Sequence, residues 1–232
     1  MPDRPGFDFA GDYAARYERV IRQVVPGYDD LMLLAHAALR MTVGPQARVL
    51  VVGAGTGNEL AAYASAEPGW RLTAVEPSGA MISQAKARMS RHGLDGRVEF
   101  VQCPLAELPE TEPFDAASLL LVLHFQPDDG AKRELLQEIA RRVVQRGTLV
   151  MFDAYGAKMT PGSARFMDAW MRYARSHGVT EEGEQRYRQQ VEDGVHFVPE
   201  ERVIELLTET GFQNPAQFYR ALVFGGWVVE RT

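Results

Sequence analysis

The run Arg48-Val49-Leu50-Val51-Val52, followed at once by Gly53-Ala54-Gly55-Thr56-Gly57, constrains this 232-residue chain more than any other feature. A continuous stretch of apolar, mostly β-branched residues reads as a strand covered on both faces, the environment of a parallel sheet. Glycines directly after it allow a tight turn into a helix, and let backbone approach a ligand where a Cβ would intrude. In open α/β sheets that turn lies at the carboxyl ends of the strands, where nucleotides bind. Glu76 ends the next strand, 23 residues beyond Gly53. A carboxylate at that offset is positioned to accept hydrogen bonds from both hydroxyls of a ribose.

The spacing narrows the ligand. A dinucleotide fingerprint needs its third glycine at position 58, where this chain has Asn58. A phosphate-cradling G-x-x-x-x-G-K-[ST] loop is absent from the sequence. The expected ligand is therefore a nucleoside rather than a dinucleotide.

Strands and helices alternate around this turn. Helices are expected from Tyr13 to about Arg22, ended by Pro26-Gly27, and from an Asp30 N-cap to about Met41. Further strands read at Leu72–Val75, Val98–Gln102, Ala116–Leu123 and Thr148–Phe152. Helices read at 58–66, at 79–91 with Ser78 as cap and Gly93 as stop, and from Asp128 or Asp129 through Val144, closed by Gly147. Such alternation predicts a parallel sheet with helices on both faces. The last third reads as helices at Met159–Gly178, Glu181–Val191 and Glu200–Thr210. Two closing strands, Gln217–Val223 and Gly226–Val229, read as an antiparallel edge hairpin around Gly225-Gly226, for seven strands in all. Residues 1–12 read as an extended lead-in.

Charge and cysteine content exclude several classes. The net charge of −6 argues against the electropositive face that nucleic-acid binding requires. A single cysteine, Cys103, excludes a disulfide scaffold and a cysteine-based zinc site, and no metal-ligand spacing is present. No apolar stretch is long enough to cross a membrane. The N-terminus lacks a signal-peptide pattern, so a cytoplasmic protein is expected.

The segments VLVVGAGTGNELAA, LTAVEPSGAMISQAK, FDAASLLLVLHF and RRVVQRGTLVMFD resemble the successive motifs of class I S-adenosylmethionine-dependent methyltransferases. The resemblance covers residues 45–153, and more loosely the tail GF…YRALVFGGWVVE. It implies an α/β, Rossmann-like, seven-stranded mostly parallel sheet with N-terminal helices and a helical lid. Residues 1–44 would form a helical cap. Residues 45–232 would form the cofactor domain, with the lid at about 156–198. Gly53, Ala54 and Gly55 would face the methionine and ribose portions of S-adenosylmethionine, Glu76 the ribose hydroxyls and Pro77 the adenine. Leu120 would border the reactive end. Pro104, next to Leu105, stands where the family carries an acidic residue for the adenine amino group, which must then be read by backbone, water or another side chain.

Val24–Tyr28 and Arg186-Tyr187-Arg188 also resemble the carboxy-S-adenosylmethionine synthases of tRNA wobble-uridine modification. That resemblance implies cofactor contact by Tyr28 and a carboxylate grip by Arg188, whose planar fork suits bidentate binding. The synthases have an asparagine where Leu120 stands and a different glycine loop, which favours an ordinary methyl donor. A cofactor-binding module without turnover is the remaining alternative.

Methyl transfer asks a protein mainly to align a nucleophile behind an already activated methyl group. A base is needed only for an acceptor that is protonated at working pH. His124, just past the fourth strand, is the expected base. Arg188, Tyr155 and His196 are the expected substrate contacts, and Asp153 could also hydrogen-bond the acceptor. The acceptor is expected to be a small molecule, with homodimerisation through the apolar C-terminal strands or the 159–178 helix. Tyr13 and Tyr17, at i and i+4, could close the same pocket, although a hydrophobic helix face explains them equally well.

Overall fold

The computed structural model describes residues 7–156 and 161–232. Residues 1–6 of the expected lead-in and the lid residues 157–160, including the expected helix start at Met159, lie outside the described residues. Seven strands, β1 (Arg48–Val52), β2 (Arg71–Val75), β3 (Val98–Val101), β4 (Phe114–Leu120), β5 (Val143–Ala154), β6 (Phe212–Ala221) and β7 (Phe224–Arg231), form one sheet. Their order is β3-β2-β1-β4-β5-β7-β6. The pairs from β3 through β5 are parallel, and β7 runs antiparallel to both β5 and β6. The sheet is therefore mixed, with one reversed strand near its edge.

Eight helices surround it among the described residues: α1 (Asp12–Val24), α2 (Tyr28–Arg40), α3 (Asn58–Ala66), α4 (Gly79–Arg91), α5 (Ala131–Arg142), α6 (Pro161–Ser176), α7 (Glu181–Gly194) and α8 (Glu200–Glu209). The core is split by the sheet. One cluster joins α1, α2, α3, α6 and α7 to one face, and the other joins α5 and α8 to the opposite face. Trp170 of α6 is fully buried, and its indole N–H donates to the Val24 carbonyl at 2.5 Å, fixing α6 across the end of α1. A buried tryptophan makes that junction worth roughly 3–5 kcal/mol.

Several expected boundaries move. Helix α2 begins at Tyr28, capped by Gly27 at φ +62°, so Asp29 and Asp30 lie in its first turn facing the positive helix end rather than at the cap. Helix α5 stops at Arg142, because Val143 already pairs with Phe114 of β4, and Gly147 lies inside β5 instead of closing the helix. Strand β4 ends at Leu120, because Leu121 turns into the left-handed region at φ +60°. The hairpin turns at Leu222-Val223, while Gly225 and Gly226 lie within β7. Those two glycines are needed for close approach. A Cβ on Gly225 would stand 2.6 Å from the Tyr155 ring, and one on Gly226 would stand 2.7 Å from the Phe218 ring.

Behind the glycine turn, Glu59 of α3 is buried with its carboxyl 3.4 Å from the Ser118 hydroxyl, which Tyr63 shares at 3.2 Å. Burial pushes this carboxyl up to about 8, with Ser118 opposing weakly. Because the folded chain holds this proton more tightly than the unfolded chain, the group favours folding below the ordinary carboxylate range of about 4.3. That contribution is lost as pH rises through about 8. Glu59→Gln keeps the shape without ionising. Its advantage over the wild type should grow between about pH 5 and pH 8, to on the order of 1–2 kcal/mol after the surroundings relax around the carboxylate. Thermal melts of both proteins across that range test this, and a gap that narrows as pH rises contradicts it.

Candidate active site

The turn after β1 forms a cradle. Gly53 has φ +70°, and a Cβ there would lie 2.4 Å from Cγ2 of Val122, so the loop after β4 presses directly on its backbone. Gly55 has φ +50°, and the nearest atom to an added Cβ is 3.9 Å away, leaving open space above it. The third glycine has another task. A Cβ on Gly57 would stand 2.9 Å from that of Ala85, so Gly57 allows α3 and α4 to pack closely.

Glu76, buried at the end of β2, accepts the Gly55 N–H at 3.0 Å on one oxygen and the Ser78 N–H at 2.8 Å on the other. Each oxygen keeps a second lone pair for a ligand hydroxyl. Burial raises this carboxyl above its ordinary value, and the two backbone donors partly offset the shift. Ser78 also caps α4 by accepting the Met81 N–H, and its hydroxyl donates to the Phe9 carbonyl at 2.7 Å.

A cavity of about 590 Å³ begins at this cradle. Gly53, Gly55, Glu76, Pro77, Pro104, Leu105, Leu120 and His124 all line it. On the same wall, His124 sits in the turn Leu123–Phe125, and its Nδ1 pairs with Asp153 at the end of β5. Asp153 is itself buried. It accepts the backbone N–H groups of Leu123 at 2.6 Å and His124 at 3.1 Å. The left-handed turn at Leu121 brings both amides onto this carboxylate. Lys132, also buried, donates from Nζ to the Leu123 carbonyl at 2.9 Å and supports the same turn from α5. A carboxylate can only accept, so Nδ1 is the donor of this pair, and in the neutral ring Nε2 is the nitrogen with the lone pair.

Open space over glycine backbone and two spare carboxylate lone pairs fit the methionyl and ribosyl parts of S-adenosylmethionine. The family described as Methyltransferase domain, Methyltransf_25, matches residues 49–147. Residues 49–147 therefore form a methyltransferase domain of the class I, S-adenosylmethionine-dependent kind. Its sequence is 25% identical over 165 residues to a carboxy-S-adenosyl-L-methionine synthase of Aeromonas hydrophila, covering 70% of this chain and 65% of that protein. It is 30% identical over 127 residues to the ubiquinone/menaquinone biosynthesis C-methyltransferase UbiE of Sinorhizobium fredii, covering 53% of this chain and 47% of that protein. The fold of this methyltransferase is similar to that of 1,6-didemethyltoxoflavin-N1-methyltransferase from Burkholderia thailandensis, with a TM-score of 0.63, 21% identity, and coverage of 95% of this chain and 86% of that one. Among the described residues, no helix is long and apolar enough to cross a membrane, and no group of three or more His, Cys, Asp or Glu side chains could hold a metal ion.

The remaining expected site residues of this methyltransferase lie off the cavity wall. Tyr28 is buried under the glycine loop, its hydroxyl accepting from Asn58 at 3.1 Å, and burial pushes its phenol up. Ala54 is buried within the turn itself. Arg188 faces outward from α7, paired with Glu184 at 2.9 Å and Asp168 at 3.3 Å. Tyr155 packs against Trp227 beneath the hairpin. His196 reaches the site through its backbone, donating to the His124 carbonyl at 2.7 Å.

Four contributors had no site role in the sequence reading. Tyr187, between the two arginines that drew notice, is the member of that triplet that lines the cavity. Phe7 and Phe9, in the stretch read as lead-in, line it as well. Glu18 of α1 accepts from Thr56 and from Asn58 at 2.7 Å, and pairs with Arg88 of α4 at 2.7 Å, clamping α1 onto the glycine loop. Tyr13 and Tyr17, of the same helix, line the cavity with rings 5.9 Å apart.

Proposed function

We propose that this protein transfers the methyl group of S-adenosylmethionine to a small-molecule acceptor by in-line displacement, with His124 as general base. The observation that carries this reading is the continuity of one cavity from Glu76 and the two loop glycines to the His124–Asp153 pair. When bound, the cofactor supplies a methyl group on a positively charged sulfur, whose bond to carbon breaks with its electron pair returning to sulfur. Gly53, Gly55, Glu76, Pro77, Pro104, Leu105 and Leu120 would hold it. Asp153 orients the His124 ring, leaving Nε2 to take the acceptor's proton as the acceptor gains its methyl group. The apolar walls exclude water and align the acceptor. In this reading residues 1–44 act as a cap and about 156–198 as a lid on a cofactor domain of 45–232.

The synthase reading draws on the carboxy-S-adenosyl-L-methionine synthase relatives. Against it stand the outward ion pairs of Arg188 and the leucine at position 120. Incubation with methyl-labelled S-adenosylmethionine and pooled small-molecule acceptors, followed by mass analysis, separates the two. Labelled acceptor together with S-adenosylhomocysteine is the expected result. A nucleoside heavier by a carboxyl group, formed only when a carboxylate donor is supplied, would overturn it.

A further inference from the structure

Aromatic rings crowd the end of the cavity next to His124. The Phe7 ring lies 5.3 Å from that of Tyr13, 5.5 Å from Phe125 and 6.0 Å from Tyr187, each edge-to-face, and 6.1 Å from Phe9, stacked. Phe125 in turn lies 4.0 Å from the His124 imidazole. Trp170 backs Tyr187 at 5.6 Å. These rings come from the N-terminal segment, α1, the turn after β4, α6 and α7, so five separate parts of the chain converge on one aromatic nest around the base.

Charge is distributed differently. Among the described residues of the cavity wall, the charged side chains apart from Glu76 are Glu134, Glu138 and Arg141. All three lie on α5, which packs beside the turn at 105–107. Arg141 is committed to Glu138 and Glu110. Two cations stand nearer the aromatic end: the Arg16 guanidinium lies 5.6 Å from the centre of the Tyr13 ring, and the buried Lys132 ammonium supports the His124 turn. A cationic acceptor would have to sit against these and the sulfonium charge in a low-dielectric cavity.

We infer that the acceptor is a planar aromatic compound whose ring hydroxyl is methylated; the inference rests on the methyl-transfer reading above. A flat ring gains edge and face contacts from Phe9, Tyr13, Phe125 and Tyr187 beyond simple area burial. The base selects the hydroxyl. A ring hydroxyl has an acidity near that of tyrosine, about 10, within reach of an imidazole, whereas an aliphatic hydroxyl is far weaker, close to water. The step balances: oxygen gains the methyl carbon, the oxygen–hydrogen bond gives its proton to Nε2 of His124, and S-adenosylhomocysteine leaves.

The test uses 2-naphthol as probe and its fully saturated counterpart, decahydro-2-naphthol, as comparator. Binding to the full chain in the presence of S-adenosylhomocysteine is read from Trp170 fluorescence, with Trp170→Phe as the control for signal origin. Naphthol is expected to bind about tenfold more tightly than the saturated alcohol, to lose about tenfold in affinity on Tyr187→Leu, and to retain it on Tyr187→Phe. Its methyl ether should form with S-adenosylmethionine. Equal affinity for both alcohols, no binding of naphthol, or indifference to Tyr187→Leu would overturn the inference. A parallel calorimetric titration with S-adenosylhomocysteine separates the two levels. If that ligand binds while naphthol fails, the ring-hydroxyl assignment alone falls. If it does not bind, the methyl-transfer reading falls too.

Discussion

His124→Ala should lower the rate of methyl transfer by about 10²- to 10⁴-fold, the usual contribution of a positioned general base, while leaving the affinity for S-adenosylmethionine unchanged. The separation follows from the geometry. His124 lies at the end of the cavity away from Glu76, and its removal leaves Asp153 satisfied by the Leu123, His124 and Ala154 backbone amides. The turn should therefore keep its shape. Asp153→Asn is harsher, because an amide cannot accept from all these donors at once and places its own donor among them. That variant is expected to lose activity and stability together, through unpaired buried groups worth about 1–3 kcal/mol. Single-turnover rates with calorimetric cofactor affinities check both variants. An active His124→Ala protein would remove the base from the account and leave alignment alone.

The second large effect concerns the cradle. Glu76→Ala should weaken binding of S-adenosylmethionine and S-adenosylhomocysteine by about 1.5–3 kcal/mol, roughly 10- to 150-fold, because hydrogen bonds to a buried charge are lost. The carboxylate also ties Gly55 to Ser78, so the substitution loosens the loop that the ligand meets. Burial raises Glu76 above the ordinary carboxylate range. The ionised form is the better acceptor, so wild-type affinity should decline on acidification at a higher pH than an exposed glutamate would dictate. Unchanged affinity in Glu76→Ala would remove the ribose assignment.

The cofactor half of the site was readable because it is local in sequence. A strand, three glycines, a helix and an acid at the end of the next strand are joined by short connections, and β1, α3 and the Ser78 cap of α4 fall where the pattern puts them. The acceptor half was not, because it is assembled from distant segments. Phe7, Tyr13, Phe125 and Tyr187 carry no common motif, and only the docking of α1 and α7 over the sheet brings their rings together. Asp153 read as an acid after a strand, and its pairing with His124 depends on the left-handed turn at Leu121, which no leucine advertises. Arg188 pairs outward for a related reason. A charged helix presents two arginines, Arg186 and Arg188, and which residue faces inward is decided by the packing of α7, which turns Tyr187 toward the cavity.

Boundaries moved where tertiary pairing outweighed local preference. Val143 and Val144 continue the helical period of α5, yet they join β5 because Phe114 offers a partner strand. Gly225-Gly226 looked like a turn, but the pair sits where the rings of Tyr155, Trp227 and Phe218 leave no room for a Cβ.

The most direct test of the central claim is an equilibrium titration of S-adenosylmethionine into the wild-type protein, with NADH as comparator. The account predicts saturable binding of one S-adenosylmethionine per chain, in the range of about 1 µM to 1 mM usual for enzyme ligands, and no binding of the dinucleotide. Preference for NADH, or no binding of S-adenosylmethionine across that range, would contradict it.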